Sequence, residues 1–219
     1  MAIHLLPTAE LAPRVLLPGD PGRALRLAQA LLDTPLMFNH HRGLWGYTGT
    51  AADGEPLSIQ STGMGGPSAA IVVSELIELG ARRLVRVGTC GALAAGLALG
   101  DLVVVEHALP EDGVGAALGA AAPDPVLTAA LAGEHRGTVV TTDLFYDPRA
   151  PEAGWLERGA LAVEMECAAV FAVAAAGGAA AGALVLVSDI VLPSRERIAE
   201  EDLHAGEERL GAAAVAALS

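Results

Sequence analysis

Lysine is absent from this sequence of 219 residues, and its 13 basic side chains are all arginines. Aspartate and glutamate outnumber them, with 26 residues, which gives a formal net charge of −13 and a pI near 4.7. A surface of this charge repels nucleic-acid backbones and anionic membranes on average, so we expect neither as a partner. An anionic small molecule would require a locally positive pocket.

Cysteine is scarce as well. Cys90 and Cys167 are too few and too isolated for a disulfide framework, and neither lies in a metal-ligand spacing. The sequence therefore predicts a cytoplasmic protein without a metal site. The first ten residues lack the basic region and apolar run of a signal peptide. Glycines interrupt the apolar stretch 168–187, which predicts a buried helix, turn and strand rather than a membrane span.

Short apolar runs alternate with alanine-rich helical patterns along the chain. The predicted strands cover 15–17, 57–60, 84–87, 102–106, 138–141 and 183–187, and the predicted helices cover 22–32, 67–79, 124–131, 166–176 and 200–218. Strands that are apolar throughout are typical of a sheet buried between helices. We therefore expect one domain over 1–219 with an α/β fold, a hairpin turn at 51–56 and a loop at 109–125.

Two glycine-rich turns connect a predicted strand to a predicted helix. The first, Pro-Gly-Asp-Pro-Gly-Arg at 18–23, places Arg23 at a helix start whose free amides would attract an anion. An ordinary strand-turn-helix connection fits this segment equally well. The second, Ser-Thr-Gly-Met-Gly-Gly-Pro-Ser at 61–68, allows close approach of a ligand or close packing of a helix. It matches neither the dinucleotide fingerprint nor the lysine-containing Walker loop.

Arg86 interrupts an apolar strand just before a predicted Gly-Thr turn at 88–89. A buried charge costs several kcal/mol unless it is paired, so Arg86 should face an acidic side chain or an anionic ligand. The alternative is an edge strand with Arg86 in solvent. We favour the ligand, because ligands of such sheets lie at the carboxyl ends of the strands.

Acidic residues follow two further apolar segments. Glu164 and Glu166 flank Met165 among small apolar residues, and one carboxylate could accept both vicinal hydroxyls of a sugar. Solvated acids in a capping box are the alternative. Asp189 ends a predicted buried strand, where it could serve as a general acid or as the N-cap of the next helix.

Five motifs, taken in order, resemble the hexameric nucleoside phosphorylase family, and most closely its purine nucleoside phosphorylase branch. They are Pro18-Gly19-Asp20-Pro21-x-Arg23, Gly63-Met64-Gly65, Arg86-Val87-Gly88-Thr89-Cys90-Gly91, Val163-Glu164-Met165-Glu166 and Ser188-Asp189. The resemblance implies a three-layer α/β/α fold with a central mixed sheet. It also implies a homohexamer, built as a trimer of dimers, whose active sites share residues between subunits.

The resemblance also implies site residues. The phosphate site would comprise Gly19, Arg23, Arg86 and Thr89, with Arg42 from the neighbouring subunit. The ribose site would comprise Met64, Glu164, Met165 and Glu166, with His4 from the neighbour. The base site would comprise Phe145, Val163, Ser188 and Asp189, with Asp189 as the acid that protonates a purine at N7. In purine members an arginine on the following helix assists that acid, whereas here Arg195 and Arg197 follow at a different spacing.

The implied reaction is reversible phosphorolysis of a purine ribonucleoside or deoxyribonucleoside, with inorganic phosphate as co-substrate and no metal or cofactor. Within the family, uridine or methylthioadenosine phosphorolysis is the alternative. A hydrolytic nucleosidase is disfavoured by the three arginines of the phosphate site, Arg23, Arg42 and Arg86. A nucleoside-binding sensor without turnover is disfavoured by Asp189 and Glu166, and a dinucleotide-dependent oxidoreductase by the missing glycine fingerprint.

Overall fold

The side chains of the first strand, β1 (Arg14–Leu17), alternate between two hydrophobic cores. Val15 and Leu17 belong to one core, while Leu16 belongs to the other. This alternation places a helix layer on each face of the sheet. The chain is described here by a computed structural model, which covers residues 2–219.

Nine more strands follow β1. They are β2 (Asp33–Asn39), β3 (Gly46–Thr50), β4 (Pro56–Gln60), β5 (Arg83–Ala92), β6 (Leu102–Glu111), β7 (His135–Thr142), β8 (Ala160–Glu164), β9 (Ala180–Ile190) and β10 (Glu196–Arg197). The helices are α1 (Pro21–Leu31), α2 (Gly66–Leu79), α3 (Gly113–Leu118), α4 (Pro125–Ala130), α5 (Glu152–Glu157), α6 (Cys167–Gly177) and α7 (Glu200–Leu218). A short 3₁₀ helix occupies His41–Gly43.

The strands form one mixed sheet in the order β10-β9-β6-β7-β8-β5-β1-β4-β3-β2. An additional parallel pairing between β5 and β9 joins strands that are distant in this order, so β5, β8, β7, β6 and β9 close into a ring. Strand β1 lies between β4 and β5 and is parallel to both. The carboxyl ends of these three strands therefore meet at one edge, where the glycine-rich turns begin.

The expected α/β architecture with a mixed central sheet is confirmed. Every predicted strand and helix is present, and all six predicted strands extend further than predicted. The turn predicted at 88–89 is wrong, because β5 continues to Ala92. The hairpin turn at 51–56 is confirmed, since it joins the antiparallel strands β3 and β4.

The loop predicted at 109–125 is wrong for most of its length. Strand β6 runs to Glu111, and α3 begins at Gly113. Asp112 caps α3 by accepting a hydrogen bond from the Gly115 amide at 2.8 Å, which stabilises a helix that an Ala/Gly-rich composition does not predict. No helix among residues 2–219 is long and apolar enough to cross a membrane.

Candidate active site

Two loops that follow parallel strands are joined at the carboxyl edge of the sheet. The Thr62 amide donates to the Pro18 carbonyl at 2.8 Å, and the Gly63 amide donates to the Gly19 carbonyl at 3.1 Å. A Cβ at residue 19 would lie 3.2 Å from the Gly63 carbonyl oxygen, and Gly63 has a φ of +73°. Glycine at both positions therefore permits this close approach.

The amides at the start of α1 are already occupied. The Asp20 carboxylate accepts from the Gly22 amide at 3.1 Å and from the Arg23 amide at 2.7 Å. This N-cap fills the place where we considered an anion, so the backbone here is an ordinary strand-turn-helix connection. An anion at this turn would meet the Arg23 side chain rather than the amides of Gly22 and Arg23.

Arg23 is buried and paired with an acid that the sequence analysis missed. Its Nε donates to Glu207 Oε1 at 2.7 Å, and its Nη1 lies 3.5 Å from the Val87 carbonyl. Glu207 lies on α7 and is 2% exposed. The available signal was its position between Leu203 and Leu210, on the apolar stripe of a helix, where an acid requires a partner.

Arg86 lies on an internal strand and is 3% exposed, so the edge-strand alternative is wrong. The acidic alternative is the one observed. Its Nη2 lies 3.0 Å from Glu164 Oε2 and 2.5 Å from Glu166 Oε2, and its Nε donates to Glu164. Burial opposes the charge of Arg86, but the two carboxylates outweigh this effect and raise its pKa. The arginine therefore stays fully charged.

Both glutamates are buried within a dense hydrogen-bond network, so they are not solvated acids. Glu164 accepts from Thr141 Oγ1 at 2.5 Å and from the amides of Glu166 and Cys167. Its side chain has no exposed surface, and the predicted contact with a ribose would require one of these bonds to open.

Glu166 occupies a position closer to the loops. It accepts from the Gly65 amide at 2.6 Å through the oxygen that does not meet Arg86. Burial raises the pKa of Glu166, and with the like charge of Glu164 it outweighs the lowering effect of Arg86. A carboxylate in this setting gains from further hydrogen-bond donors, such as hydroxyl groups.

Asp189 lies inside β9, and α7 begins only at Glu200, so Asp189 is not a helix N-cap. Its Oδ2 accepts from Ser188 Oγ at 2.8 Å. Gly91 of β5 lies between two neighbouring strands. In the strand register it is opposite Asp189 of β9 on one side and Val163 of β8 on the other. The structure therefore brings three of the predicted base-site residues to one point of the sheet.

Two arginines lie beside this group. Arg197 of β10 is opposite Asp189 in the antiparallel register. The Arg195 guanidinium lies 5.3 Å from the centre of the Phe145 ring. Phe145 is half exposed, and its ring packs edge-on against Tyr146 with 4.9 Å between centroids. The predicted base-site aromatic is thus close to solvent and covered by a cation on one side.

The remaining predicted residues differ in their exposure. Thr89 lies on β5 and is partly exposed, and Met165 is partly exposed between the two glutamates. Met64 is 87% exposed on the loop before α2. The Met64 side chain therefore lies largely in solvent within this chain.

His4 and Arg42 lie together at a different place. His4 Nδ1 lies 2.7 Å from Glu75 Oε1, and the His4 carbonyl lies 3.0 Å from His41 Nδ1. Glu75 is nine residues beyond the first residue of α2, which corresponds to about 13 Å along the helix axis from the Gly65 loop. Arg42 is exposed and forms no ion pair with any of residues 2–219. Among residues 2–219, no hydrogen bond or ion pair joins His4 or Arg42 to Arg86, Glu164 or Glu166.

Within residues 2–219, no group of three or more His, Cys, Asp or Glu side chains could hold a metal ion. Burial raises the pKa of both cysteine thiols, and neither cysteine is in a disulfide. The polar groups of the candidate site are thus arginines, carboxylates, hydroxyls and backbone amides, which suit a small polar organic ligand with an anionic part.

The chain is similar to known proteins in sequence and in fold. The family model described as Phosphorylase superfamily matches residues 13–219. A purine nucleoside phosphorylase DeoD-type from Geobacillus kaustophilus is 38% identical over 216 residues, covering 92% of this chain and 91% of the relative. Its counterpart from Clostridium perfringens is 37% identical over 218 residues, covering 92% of each chain.

A solved structure is also similar. The crystal structure of uridine phosphorylase from Vibrio fischeri, complexed with 6-hydroxy-1-naphthoic acid, aligns with a TM-score of 0.85 and 26% identity. The alignment covers 95% of this chain and 91% of that chain.

Proposed function

The chain belongs to the phosphorylase superfamily, and we propose that it is a purine nucleoside phosphorylase that splits a nucleoside with inorganic phosphate. The observation that carries this proposal is the ion pair between Arg86 and Glu166, beside the carboxyl end of β1. It puts a cation that suits phosphate beside a carboxylate that suits ribose hydroxyls. Relatives 36–38% identical to this chain bear the same enzyme name.

The proposed phosphate site contains Arg86, Thr89, Gly19 and Arg23. Arg86 and Thr89 project from the same strand, and the Gly19 turn follows the adjacent parallel strand. Arginine binds phosphate oxygens in a bidentate manner, and glycine lets the backbone approach them. Binding of the dianion would draw the Arg86 guanidinium partly away from its carboxylates, which then accept the ribose hydroxyls.

At the other end of the nucleoside, Asp189 is the proposed general acid. A phosphate oxygen forms a bond to C1′ while the bond between C1′ and the base nitrogen breaks, and the electron pair of that bond stays on the base. The proton of Asp189 passes to N7 of the purine, which leaves as the neutral free base, and the sugar leaves as the 1-phosphate. Arg86 and Glu166 stabilise the charges that develop on both sides of C1′.

Uridine phosphorolysis is the alternative within the family. The similarity to the Vibrio fischeri uridine phosphorylase favours it, but at 26% identity that likeness is weaker than the likeness to the purine enzymes. A methylthioadenosine preference would use the same residues. Uridine differs from the purine nucleosides in its base, whereas methylthioadenosine differs from adenosine at the 5′ position of the sugar. The contacts to the base therefore decide the first alternative, and the contacts to the 5′ position decide the second.

We also propose a cytoplasmic homohexamer that requires no metal or cofactor. His4 and Arg42 form no hydrogen bond or ion pair with Arg86 or its carboxylates within residues 2–219. This supports shared sites, because a neighbouring subunit could bring both residues to the Arg86 group. The two free buried cysteines are consistent with a reducing compartment.

The test is the release of free base from inosine, adenosine, methylthioadenosine and uridine, each with and without inorganic phosphate. We expect phosphate-dependent release from a purine nucleoside. Asp189→Ala should lower kcat by about 100-fold or more, the usual contribution of a general acid. Asp202→Ala removes an exposed aspartate from the first turn of α7 and serves as the control.

Other outcomes point to other functions. A preference for uridine would replace the purine assignment, and release without phosphate would identify a nucleosidase. If no substrate is cleaved but nucleosides bind, the protein is a sensor rather than an enzyme.

A further inference from the structure

A buried carboxylate joins two arginines of α1 to the C-terminal helix. Glu207 Oε1 accepts from Arg23 Nε at 2.7 Å, and Glu207 Oε2 accepts from Arg26 Nε at 3.0 Å and Nη2 at 2.7 Å. Arg23 and Glu207 are 7% and 2% exposed, whereas the Arg26 side chain is 37% exposed. We call these three residues the Glu207 cluster.

This arrangement fixes the direction of the Arg23 guanidinium. Its Nε edge is occupied by Glu207, so the opposite edge, with Nη1 and Nη2, remains for other acceptors. Nη1 lies 3.5 Å from the Val87 carbonyl, between Arg86 and Gly88 on β5. Among residues 2–219, Arg23 Nη2 donates no hydrogen bond. The free edge of Arg23 therefore faces the strand that carries Arg86 and Thr89.

The charge of the cluster is as important as its geometry. A single carboxylate beside Arg23 would cancel its charge and weaken its attraction for an anion. Arg26 binds the second carboxylate oxygen, so Glu207 is shared by two guanidinium groups. Of the two arginines only Arg23 is directed toward β5, since Arg26 Nη2 also lies 3.6 Å from Asp20 Oδ2.

We propose that Glu207 is a positioning residue for phosphate, which holds the guanidinium of Arg23 in the direction needed to bind the dianion. Glu207 acts through Arg23 and touches no substrate. This inference rests on the proposed phosphate-dependent reaction. It assigns to α7 a part in phosphate binding.

The experiment compares Glu207→Ala, Glu207→Gln and Glu208→Ala with the wild-type chain. Glu208 is the adjacent, exposed glutamate of α7, so its variant makes the same change of charge without touching Arg23. KM is measured for phosphate at saturating nucleoside and for the nucleoside at saturating phosphate. Phosphate binding to each protein is measured by titration calorimetry, and circular dichroism verifies folding.

We expect Glu207→Ala to raise the KM and the Kd for phosphate by about tenfold or more, because a misdirected guanidinium loses its contact. The KM for the nucleoside should change by less than about twofold, since Glu207 is not part of the nucleoside site. Glu207→Gln keeps an oxygen for Arg23 Nε and should restore part of the affinity. Glu208→Ala should match the wild type.

Equal rises in both KM values, or an unchanged phosphate Kd in folded Glu207→Ala, would overturn the inference. If Glu207→Ala does not fold, the isosteric Glu207→Gln and the surface variant Arg26→Ala carry the test, and both should weaken phosphate binding selectively. Failure of the proposed function can be distinguished from failure of this inference. In that case the wild-type protein cleaves no nucleoside, but calorimetry still compares phosphate binding, and a wild type that binds no phosphate contradicts both.

Discussion

Buried arginines of this protein are held by carboxylates from distant parts of the chain. Arg86 pairs with Glu164, 78 positions away, and Arg23 pairs with Glu207, 184 positions away. The sequence predicts that Arg86 needs a partner, because it interrupts an apolar strand. It does not predict which partner, because that depends on how β5 and β8 pair in the folded sheet. The preference for a ligand over an acid was therefore not decidable from the strand alone.

The single residue Glu75 binds the N-terminal segment through hydrogen bonds to its backbone. The amides of Ile3, His4 and Leu5 all donate to its carboxylate at 2.7 to 3.0 Å, and His4 Nδ1 lies 2.7 Å from it. Burial raises the pKa of Glu75, but these hydrogen bonds outweigh it and lower the pKa from 4.5 to about 2. The folded state therefore favours the ionised carboxylate.

This pKa predicts a dependence of stability on pH. A carboxyl group whose pKa is lower in the folded chain stabilises that chain above its unfolded pKa, near 4.5, and loses the effect as pH falls toward 2. The full effect corresponds to about 3 kcal/mol in the free energy of unfolding. Glu75→Gln should lower that free energy at pH 7 and flatten its fall between pH 4.5 and 2, as measured by urea denaturation.

Glu208→Gln is the control for this measurement, because it removes a carboxylate that is exposed on α7. Its pH profile should follow that of the wild type. A Glu75→Gln profile as steep as the wild-type profile would show that other groups dominate the acid sensitivity.

Strand β5 illustrates what a single element contributes to the site. The Arg86 side chain folds back over Gly88 of the same strand, so a Cβ at residue 88 would lie 2.6 Å from Nη2 and 2.7 Å from Cζ. These atoms are held by Glu164 and Glu166, so the guanidinium cannot move aside without breaking an ion pair. Glycine at this position is therefore a requirement of side-chain packing.

Gly88→Ala should accordingly displace Arg86. We expect a rise of about tenfold or more in the KM for phosphate and a loss of about 1–3 kcal/mol in stability. Enzyme kinetics and thermal unfolding measure the two effects. Gly154→Ala in α5 is the matched control, because a Cβ there meets no atom within 4 Å. Wild-type phosphate affinity in Gly88→Ala would mean that the position of Arg86 is not critical.

The elements themselves were predictable where their cores are apolar. Strands β1, β4, β5, β6, β7 and β9 were found because continuous apolar runs are buried on both faces of the sheet. Strand β2 was missed because its first five residues are exposed, and β3 because Gly46 and Gly49 weaken the strand pattern. The site residues on these central strands were predictable from the same apolar runs. The contact of Glu207 on α7 with Arg23 was not, because it joins residues 184 positions apart.

At the scale of the whole molecule, apolar side chains remain exposed around His4 and Arg42. Ile3 is 66% exposed and Met37 is 43% exposed, and the two segments are connected by hydrogen bonds, including that from the Leu6 amide to Asn39 Oδ1. The adjoining strand β2 forms an edge of the sheet. An exposed apolar surface beside an unpaired strand edge is typical of a subunit contact.

The proposed shared site makes a prediction about mixed assemblies. If each site combines Asp189 of one subunit with Arg42 of its neighbour, then Asp189→Ala and Arg42→Ala should each be nearly inactive alone. In a dimer with one copy of each variant, one of the two sites contains both wild-type residues. Random pairing then restores about a quarter of the wild-type activity.

Co-expression of the two variants with different affinity tags, followed by purification through both tags, isolates the mixed assemblies for an activity measurement. Light scattering should give a mass six times the 22.1 kDa of one chain. The matched control is the double variant Asp189→Ala/Arg42→Ala mixed with Arg42→Ala, in which no pairing can combine an intact Asp189 with an intact Arg42. If the mixed single variants stay as inactive as each alone, the site is complete within one chain, and the cluster of His4, Glu75 and His41 serves the N-terminus only.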